Sequence, residues 1–299
     1  VGKNVRLLIL LALSGLLFPP LGLTERQRPS FDAERAFGLL KKQVSFGSRT
    51  PGRPGHERAL IFLRDELKVH SDRFFVQELQ HKNLELTNLI GWIKGTGELK
   101  ETVLLGAHWD THPFASREED SALARRPVPG ANDGASGVAL LLELARGLSG
   151  HRPPRDVLIV FFDGEDYGIG GNWILGSTHF AENWEGPRAD FGIVVDMVGD
   201  KDLEIHVEGF SSELAPGVVR RVWDAAERVG APSFHRETKH YILDDHAPLN
   251  DAGVPTALLI DFDYPPWHTS RDAVDQVSPK SLAEVAGVLI EVLFEREGR

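Results

Sequence analysis

Along the chain, short runs of apolar residues end again and again in a carboxylate or a histidine. Val103 to Ala107 runs into His108-Trp109-Asp110, and Ile159-Val160-Phe161-Phe162 into Asp163-Gly164-Glu165-Asp166. Phe191 to Val195 ends in Asp196, and Val254 to Ile260 is followed by Asp261, Asp263, Trp267 and His268. Unbroken apolar runs of this length predict strands buried on both faces of a parallel or mixed sheet. The C-terminal edge of such a sheet is where open α/β proteins place their sites. Between the runs, apolar positions recur at helical spacing in four segments. These are Phe31 to Val44, His56 to Val69, Gly134 to Leu148 and Leu282 to Phe294, and a fifth helix is predicted over Ser211 to Val229. Phe74 to Leu79, Leu86 to Ile93 and Leu203 to Val207 read as further strands, and Leu175 to Glu182 as a short helix or loop. Trp109 to Gly130 is a long charged stretch, expected to form a lid or rim beside the His108 strand end. The order of elements predicts one α/β domain over residues 24–299, a three-layer α/β/α sandwich on a mixed, mostly parallel sheet.

Residues 1–23 stand apart. Lys3 and Arg6 precede the apolar run Leu7 to Phe18, which meets Pro19-Pro20, the layout of a signal peptide or N-terminal membrane anchor. Export to the periplasm, cell surface or medium is therefore the expectation. Acidic residues outnumber basic ones by 44 to 33, with no Lys/Arg block, so a nucleic-acid partner is not expected. With no cysteine in the chain, a metal here has only histidine and carboxylate to sit on.

Four strand ends that each carry a metal-capable residue predict a zinc site. Zinc takes His nitrogen and carboxylate oxygen, and a catalytic site keeps one position open. Asp133, Asp166 and His268 are candidate ligands, with Glu165 beside them as a proton carrier. Adjacent strand residues point to opposite faces, so with Asp166 on the metal Glu165 is not expected to share it. Each residue also has a plain structural reading. Asp133 precedes a helix and suits an N-cap, His268 suits a structural histidine in a proline-containing loop, and Asp196 suits a partner for a turn amide. His108-x-Asp110 places both side chains on one strand face, as a metal site or as a hydrogen-bonded pair. The Glu165-Asp166 pair resists such a reading, because two charges closing an apolar run cost heavily in desolvation unless something offsets them.

The chain resembles the zinc aminopeptidases of the M28 type and, within them, the glutaminyl-peptide cyclotransferases. The resemblance rests on Gly106 to Asp110, Gly130 to Gly137, Phe161 to Asp166, Val195 to Gly199, Asp244-Asp245-His246 and Trp267-His268-Thr269, in family order over about residues 35 to 295. It implies one zinc on Asp133, Asp166 and His268, with Glu165 as general acid/base and Asp196 and Asp244 in an acidic hydrogen-bond network around it. It further implies Trp267, and by a looser match Trp173, as substrate-pocket residues. The implied substrate is a peptide or protein with N-terminal glutamine, converted to pyroglutamate with loss of ammonia by a monomer. The family's third ligand is usually Glu where this chain has Asp166, shorter by one methylene. His108, Asp133 and Asp196 are equally the positions of a second metal in a two-zinc aminopeptidase, so that alternative stands beside the cyclase, with an inactive metal-binding module as a third.

Overall fold

The computed structural model describes residues 28–295 together with Gly2, and the expected leader over 1–23 lies outside the described residues. The chain runs α1 (Ala33–Ser45), α2 (Pro54–Val69), β1 (Arg73–His81), β2 (Leu84–Ile93), β3 (Thr102–His108), α3 (Ala135–Gly150), β4 (Asp156–Phe162) and α4 (Leu175–Asn183). It continues through β5 (Phe191–Asp196), β6 (Ile205–Val207), α5 (Gly209–Leu214), α6 (Pro216–Val229), β7 (Phe234–Thr238), α7 (His246–Asp251), β8 (Thr256–Ile260) and α8 (Pro279–Phe294).

Six strands form one sheet in the order β1-β2-β4-β3-β5-β8. The β1/β2 and β2/β4 pairs are antiparallel, and β4/β3, β3/β5 and β5/β8 are parallel. The central strands are apolar on both faces because both faces are covered. Val103, Leu105, Ala107, Ile159, Phe161, Ile193, Val195 and Leu259 face one core, which they share with α1, α2, α3, α6 and α8. Their neighbours Leu104, Leu158, Val160, Phe162, Val194 and Leu258 face a second, smaller core, closed by Phe180 of α4 and Leu249 of α7. This is the expected α/β/α sandwich on a mixed, mostly parallel sheet. Burying a Leu or Ile side chain stabilises by roughly 1.5–3 kcal/mol, so the larger core supplies most of what holds the sheet flat against its helices.

Capping residues and a proline set the helix boundaries. Asp32 caps α1 by accepting from the Arg35 amide at 2.9 Å, and Ser278 caps α8 from the Lys280 amide at 3.1 Å. The single helix expected over Ser211 to Val229 is two. Pro216 has no amide hydrogen to continue a ladder and drives Ala215 out of helical geometry (φ −131°, ψ 45°), so α5 stops and α6 starts with proline in its first turn. A short parallel ribbon, β6 with β7, stands outside the main sheet, and its second strand follows a stretch with no clear periodicity. Among the described residues, no helix is long and apolar enough to cross a membrane.

Candidate metal centre and active site

The sheet's C-terminal edge gathers the chemistry. β3 ends at His108, β5 ends at Asp196, and Asp133 lies just before α3. Asp133 is not the helix cap: Gly134 takes that position, with no side-chain cap bond, and leaves the Asp133 carboxylate free to face the site. Only glycine fits at 134, where φ is +87° and an added Cβ would lie 2.6 Å from the Asp110 carbonyl and 3.1 Å from the His108 ring. The backbone of this turn is pinned by Asp272, which accepts from the Asn132 and Asp133 amides at 2.8 and 3.2 Å and from the Tyr264 hydroxyl at 2.9 Å. Buried Arg49 completes the brace, donating to the carbonyls of Trp109 (3.1 Å), Pro129 (3.1 Å) and Gly130 (2.6 Å).

Glu165 and Asp166 do diverge, but not by strand alternation. β4 stops at Phe162, and the pair sits in a turn opened by Gly164 at φ +73°. Asp110 holds that turn by accepting from the amides of Glu165 (3.1 Å) and Asp166 (3.2 Å). Asp163 turns the other way, accepting from the Thr87 amide at 2.7 Å and lying 2.9 Å from His56 Nε2. It is part of the frame, outside the site.

Asp166 Oδ1 lies 3.1 Å from His268 Nε2, and Asp133 Oδ2 lies 3.5 Å from the same nitrogen. The remaining oxygen of Asp166, together with Asp133 Oδ2, is buried without a hydrogen-bond partner. Two carboxylates that both contact one imidazole, each with an orphaned buried oxygen, fit a cation. His268 is held there in left-handed backbone (φ +54°), a conformation a histidine adopts at a cost of order 1–3 kcal/mol and keeps only where its surroundings fix it. On the other side, His108 Nε2 lies 3.0 Å from Asp196 and 3.2 Å from Asp133. Asp133 thus stands between two metal-capable groups, one around His268 and Asp166 and one around His108 and Asp196.

The sequence reading overlooked His112. Its Nδ1 is 2.9 Å from the Asp166 carbonyl and 3.2 Å from the Asp166 carboxylate. A carbonyl only accepts, so Nδ1 carries the proton and His112 serves Asp166 as a donor through that nitrogen. The ring stacks at 4.0 Å on His268 and at 5.5 Å on Trp173. A His-Pro step inside an irregular loop gives no periodic signal by which to find it.

The charges are set by burial and crowding. Burial pushes the Glu165 carboxyl well above its ordinary range, with Asp244, Asp166 and Asp245 adding to the rise against the pull of His108, 4.0 Å away. Burial likewise carries Asp196 up to about 7, against the pull of His108 and with Asp244 adding to the rise. Burial would also raise Asp166, but His268 and His112 outweigh it and hold that group ionised far below the usual range. Among the described residues no direct hydrogen bond joins Glu165 to Asp196 or Asp244. The acidic network expected around Glu165 acts through charge at this distance.

These groups line the floor of a cavity of about 750 Å³, whose walls include Trp173, Trp267, Phe262 and Ile242. The 109–130 loop contributes Phe114 and Arg117 to the rim, as expected of it, with the Arg117 guanidinium 4.9 Å over the Trp267 ring. The residues expected as ligands, proton carriers or pocket walls lie in this one place: His108 touches Asp133 and Asp196, and Asp133, Glu165, Asp166, Trp173, Asp196, Asp244, Trp267 and His268 all line the cavity, whereas Asp163, Asp261 and Asp263 do not.

The pattern of peptidase family M28 matches residues 88–293. The chain belongs to family M28. Two solved structures match the M28 chain over 91% of its length and all of their own at 34% identity. They are a glutaminyl cyclase from Bacteroides thetaiotaomicron bound to N-acetylhistamine (TM-score 0.85) and a leucine aminopeptidase precursor from the same species (TM-score 0.86). A Fimbriiglobus ruber glutaminyl cyclase matches at 30% identity over 90% of the chain and 97% of its own, with TM-score 0.83. Aminopeptidase YwaD of Bacillus subtilis is 28% identical over 70% of the chain, which spans 44% of that protein's length.

Proposed function

We propose that this M28 protein is a zinc-dependent glutaminyl-peptide cyclotransferase acting on peptides or proteins with N-terminal glutamine. The observation that carries the reading is the position of Glu165. It is a shielded carboxyl, held well above its ordinary range, that stands beside the orphaned carboxylate oxygens rather than among them. The full-length likeness to solved glutaminyl cyclases supports the same reading.

Asp133, Asp166 and His268 would hold the zinc. When bound, zinc supplies Lewis-acid polarisation of the substrate's side-chain carbonyl. The protein's own residues do the rest. Glu165 takes a proton from the substrate's α-amine, the amine nitrogen bonds to the side-chain carboxamide carbon to close a five-membered ring, and the same proton goes to the departing nitrogen, which leaves as ammonia. Its raised affinity for a proton suits a group that must accept and release one near neutral pH. Burial, with Asp244, Asp166 and Asp245 close by, keeps it there, and Asp196 lines the same cavity. Trp267 and Trp173 give flat apolar walls that hold the glutamine bent, and since nucleophile and electrophile belong to one molecule, that orientation supplies much of the rate.

A second reading has its own observation. The His108, Asp133 and Asp196 trio would hold a further metal, as in a two-metal aminopeptidase with Asp133 shared. Mass spectrometry of a Gln-initiated peptide incubated with the zinc-replete protein separates the two, with an enzyme-free control for spontaneous cyclisation. Loss of ammonia alone, with the peptide otherwise intact, is the expected result. Release of free glutamine would replace the cyclase by the aminopeptidase.

A further inference from the structure

The β6–β7 ribbon carries a cluster that the catalytic centre does not use. His206 on β6 and His235 on β7 are register partners in the parallel pair, and Glu204 lies just before β6. One donor atom from each of the three lies within 4.8 Å of the other two. The two rings stack with centroids 4.8 Å apart and planes 28° from parallel. His206 Nδ1 and His235 Nε2 are shielded from solvent, and neither makes a hydrogen bond. Glu204 Oε2 is 2.7 Å from His235 Nε2, so the carboxylate is at contact distance without hydrogen-bond alignment.

We infer that Glu204, His206 and His235 form a second cation site, separate from the catalytic centre, that takes a divalent transition metal of the zinc type. Two imidazole nitrogens and one carboxylate are a donor set for zinc, whereas calcium and magnesium want oxygen ligands throughout. The spacing suits it. Two imidazoles bound through nitrogen at about 2.0–2.1 Å to one tetrahedral ion hold their ring centres roughly 5.2 Å apart, a few tenths of an ångström from the separation seen here. The nearby Lys239 is paired with Asp263 at 2.7 Å. The His235 backbone is anchored, its carbonyl accepting from the Trp223 indole at 2.8 Å. Glu204 is exposed and reaches the ion from the solvent side, leaving the fourth position to water.

The site has a structural consequence for the pocket. β7 leads directly into residues 239–245, where the Ile242 amide is held by Glu208 at 3.1 Å, and Ile242 and Asp244 wall the cavity. A metal bridging β6 and β7 fixes the start of that segment.

Equilibrium dialysis of chelator-stripped full-length chain against buffered micromolar zinc, read by elemental analysis, tests this. The Asp133→Asn/His268→Gln chain removes two of the three catalytic ligands, and in Asp133 the one shared with His108 and Asp196, and so isolates the second site. It is expected to keep about one equivalent of zinc, to lose it when His206→Gln/His235→Gln is added, and to hold it at least about tenfold more weakly when Glu204→Gln is added instead. Glu204 is exposed, so that last variant stays folded and keeps the test open should the double histidine variant fail. Magnesium at millimolar concentration is expected not to compete. The inference is overturned if the Asp133→Asn/His268→Gln chain retains no zinc, or if its equivalent is unaffected by Glu204→Gln or survives His206→Gln/His235→Gln. None of these results bears on the cyclase reading, which uses none of Glu204, His206 and His235.

Discussion

Glu165→Gln separates chemistry from folding in a single substitution. Gln has the same shape but neither takes nor gives a proton, so the α-amine must lose its proton to water and the leaving nitrogen must find one there. Losing a positioned general acid/base costs about 10²–10⁴ in rate, or roughly 2.7–5.5 kcal/mol of barrier. The stability effect has the opposite sign. Burial first, then Asp244, Asp166 and Asp245, raise the Glu165 carboxyl well above its ordinary range. The unfolded chain therefore releases this proton at lower pH than the folded one, and ionised Glu165 costs stability that grows as pH rises from the ordinary carboxylate range through the raised folded value. Gln removes that cost. The metal-free variant should melt at or above the wild-type temperature at pH 7–8, by about 2 °C for each kcal/mol of relieved repulsion, and the gap should close by pH 4. Turnover on a Gln-initiated peptide is measured by ammonia release with zinc-replete protein, and melting by circular dichroism on the chelated sample. A rate within tenfold of wild type would refute the proton-carrier role, and a variant that melts several degrees lower at pH 8 would refute the charge argument.

Three further outcomes follow from other parts of the structure. His268→Ala removes the nitrogen that faces the carboxylates of Asp133 and Asp166, so zinc left at the catalytic set after dialysis should fall at least tenfold, and wild-type retention measured by elemental analysis would remove His268 from the ligands. Arg49→Met strips donors from the carbonyls of Trp109, Pro129 and Gly130, and at roughly 1.5–3 kcal/mol for a charged donor's bond a loss of about 3–5 kcal/mol in denaturant unfolding is expected; less than 1 kcal/mol would show that the brace is not carried by this side chain. Glu208 is held down to about 2 against burial by the His246 imidazole 3.3 Å away and by hydrogen bonds from Ser211 and the Phe210 amide, so its contribution is present above the unfolded value near 4.5 and is lost as pH falls from there towards 2. Glu208→Gln should therefore cost about 2–3 kcal/mol at pH 7 and progressively less below pH 4, and a difference that stays constant over that interval would contradict the assignment.

How far the sequence discloses this site depends on what kind of geometry each residue needs. Strands buried on both faces print themselves as apolar runs, so β3, β4, β5 and β8 and the acidic or histidine residues that close them could be read directly, and the α/β/α layering with them. The residues placed by turns could be named but not oriented. Glu165 and Asp166 diverge because Gly164 adopts positive φ and Asp110 binds both amides, a fact that strand alternation imitates without causing. Asp133 faces the site because Gly134, not Asp133, caps α3. His112 was invisible for a deeper reason: its role depends on a loop 54 residues before Asp166 folding back to place Nδ1 on that carbonyl, and no local period records a contact of that length. The same is true of Asp272, whose two bonds to the 132–133 backbone span 140 and 139 residues. Asp166, shorter by a methylene than the Glu usual at its position, makes this distinction consequential. A shorter side chain reaches the same cation only if its backbone is brought closer, and here the two groups that fix that backbone are Asp110, on the amide, and His112, on the carbonyl. The ligand is legible in one residue, whereas the brace that lets a shorter one serve is distributed over a loop whose sequence looks like filler.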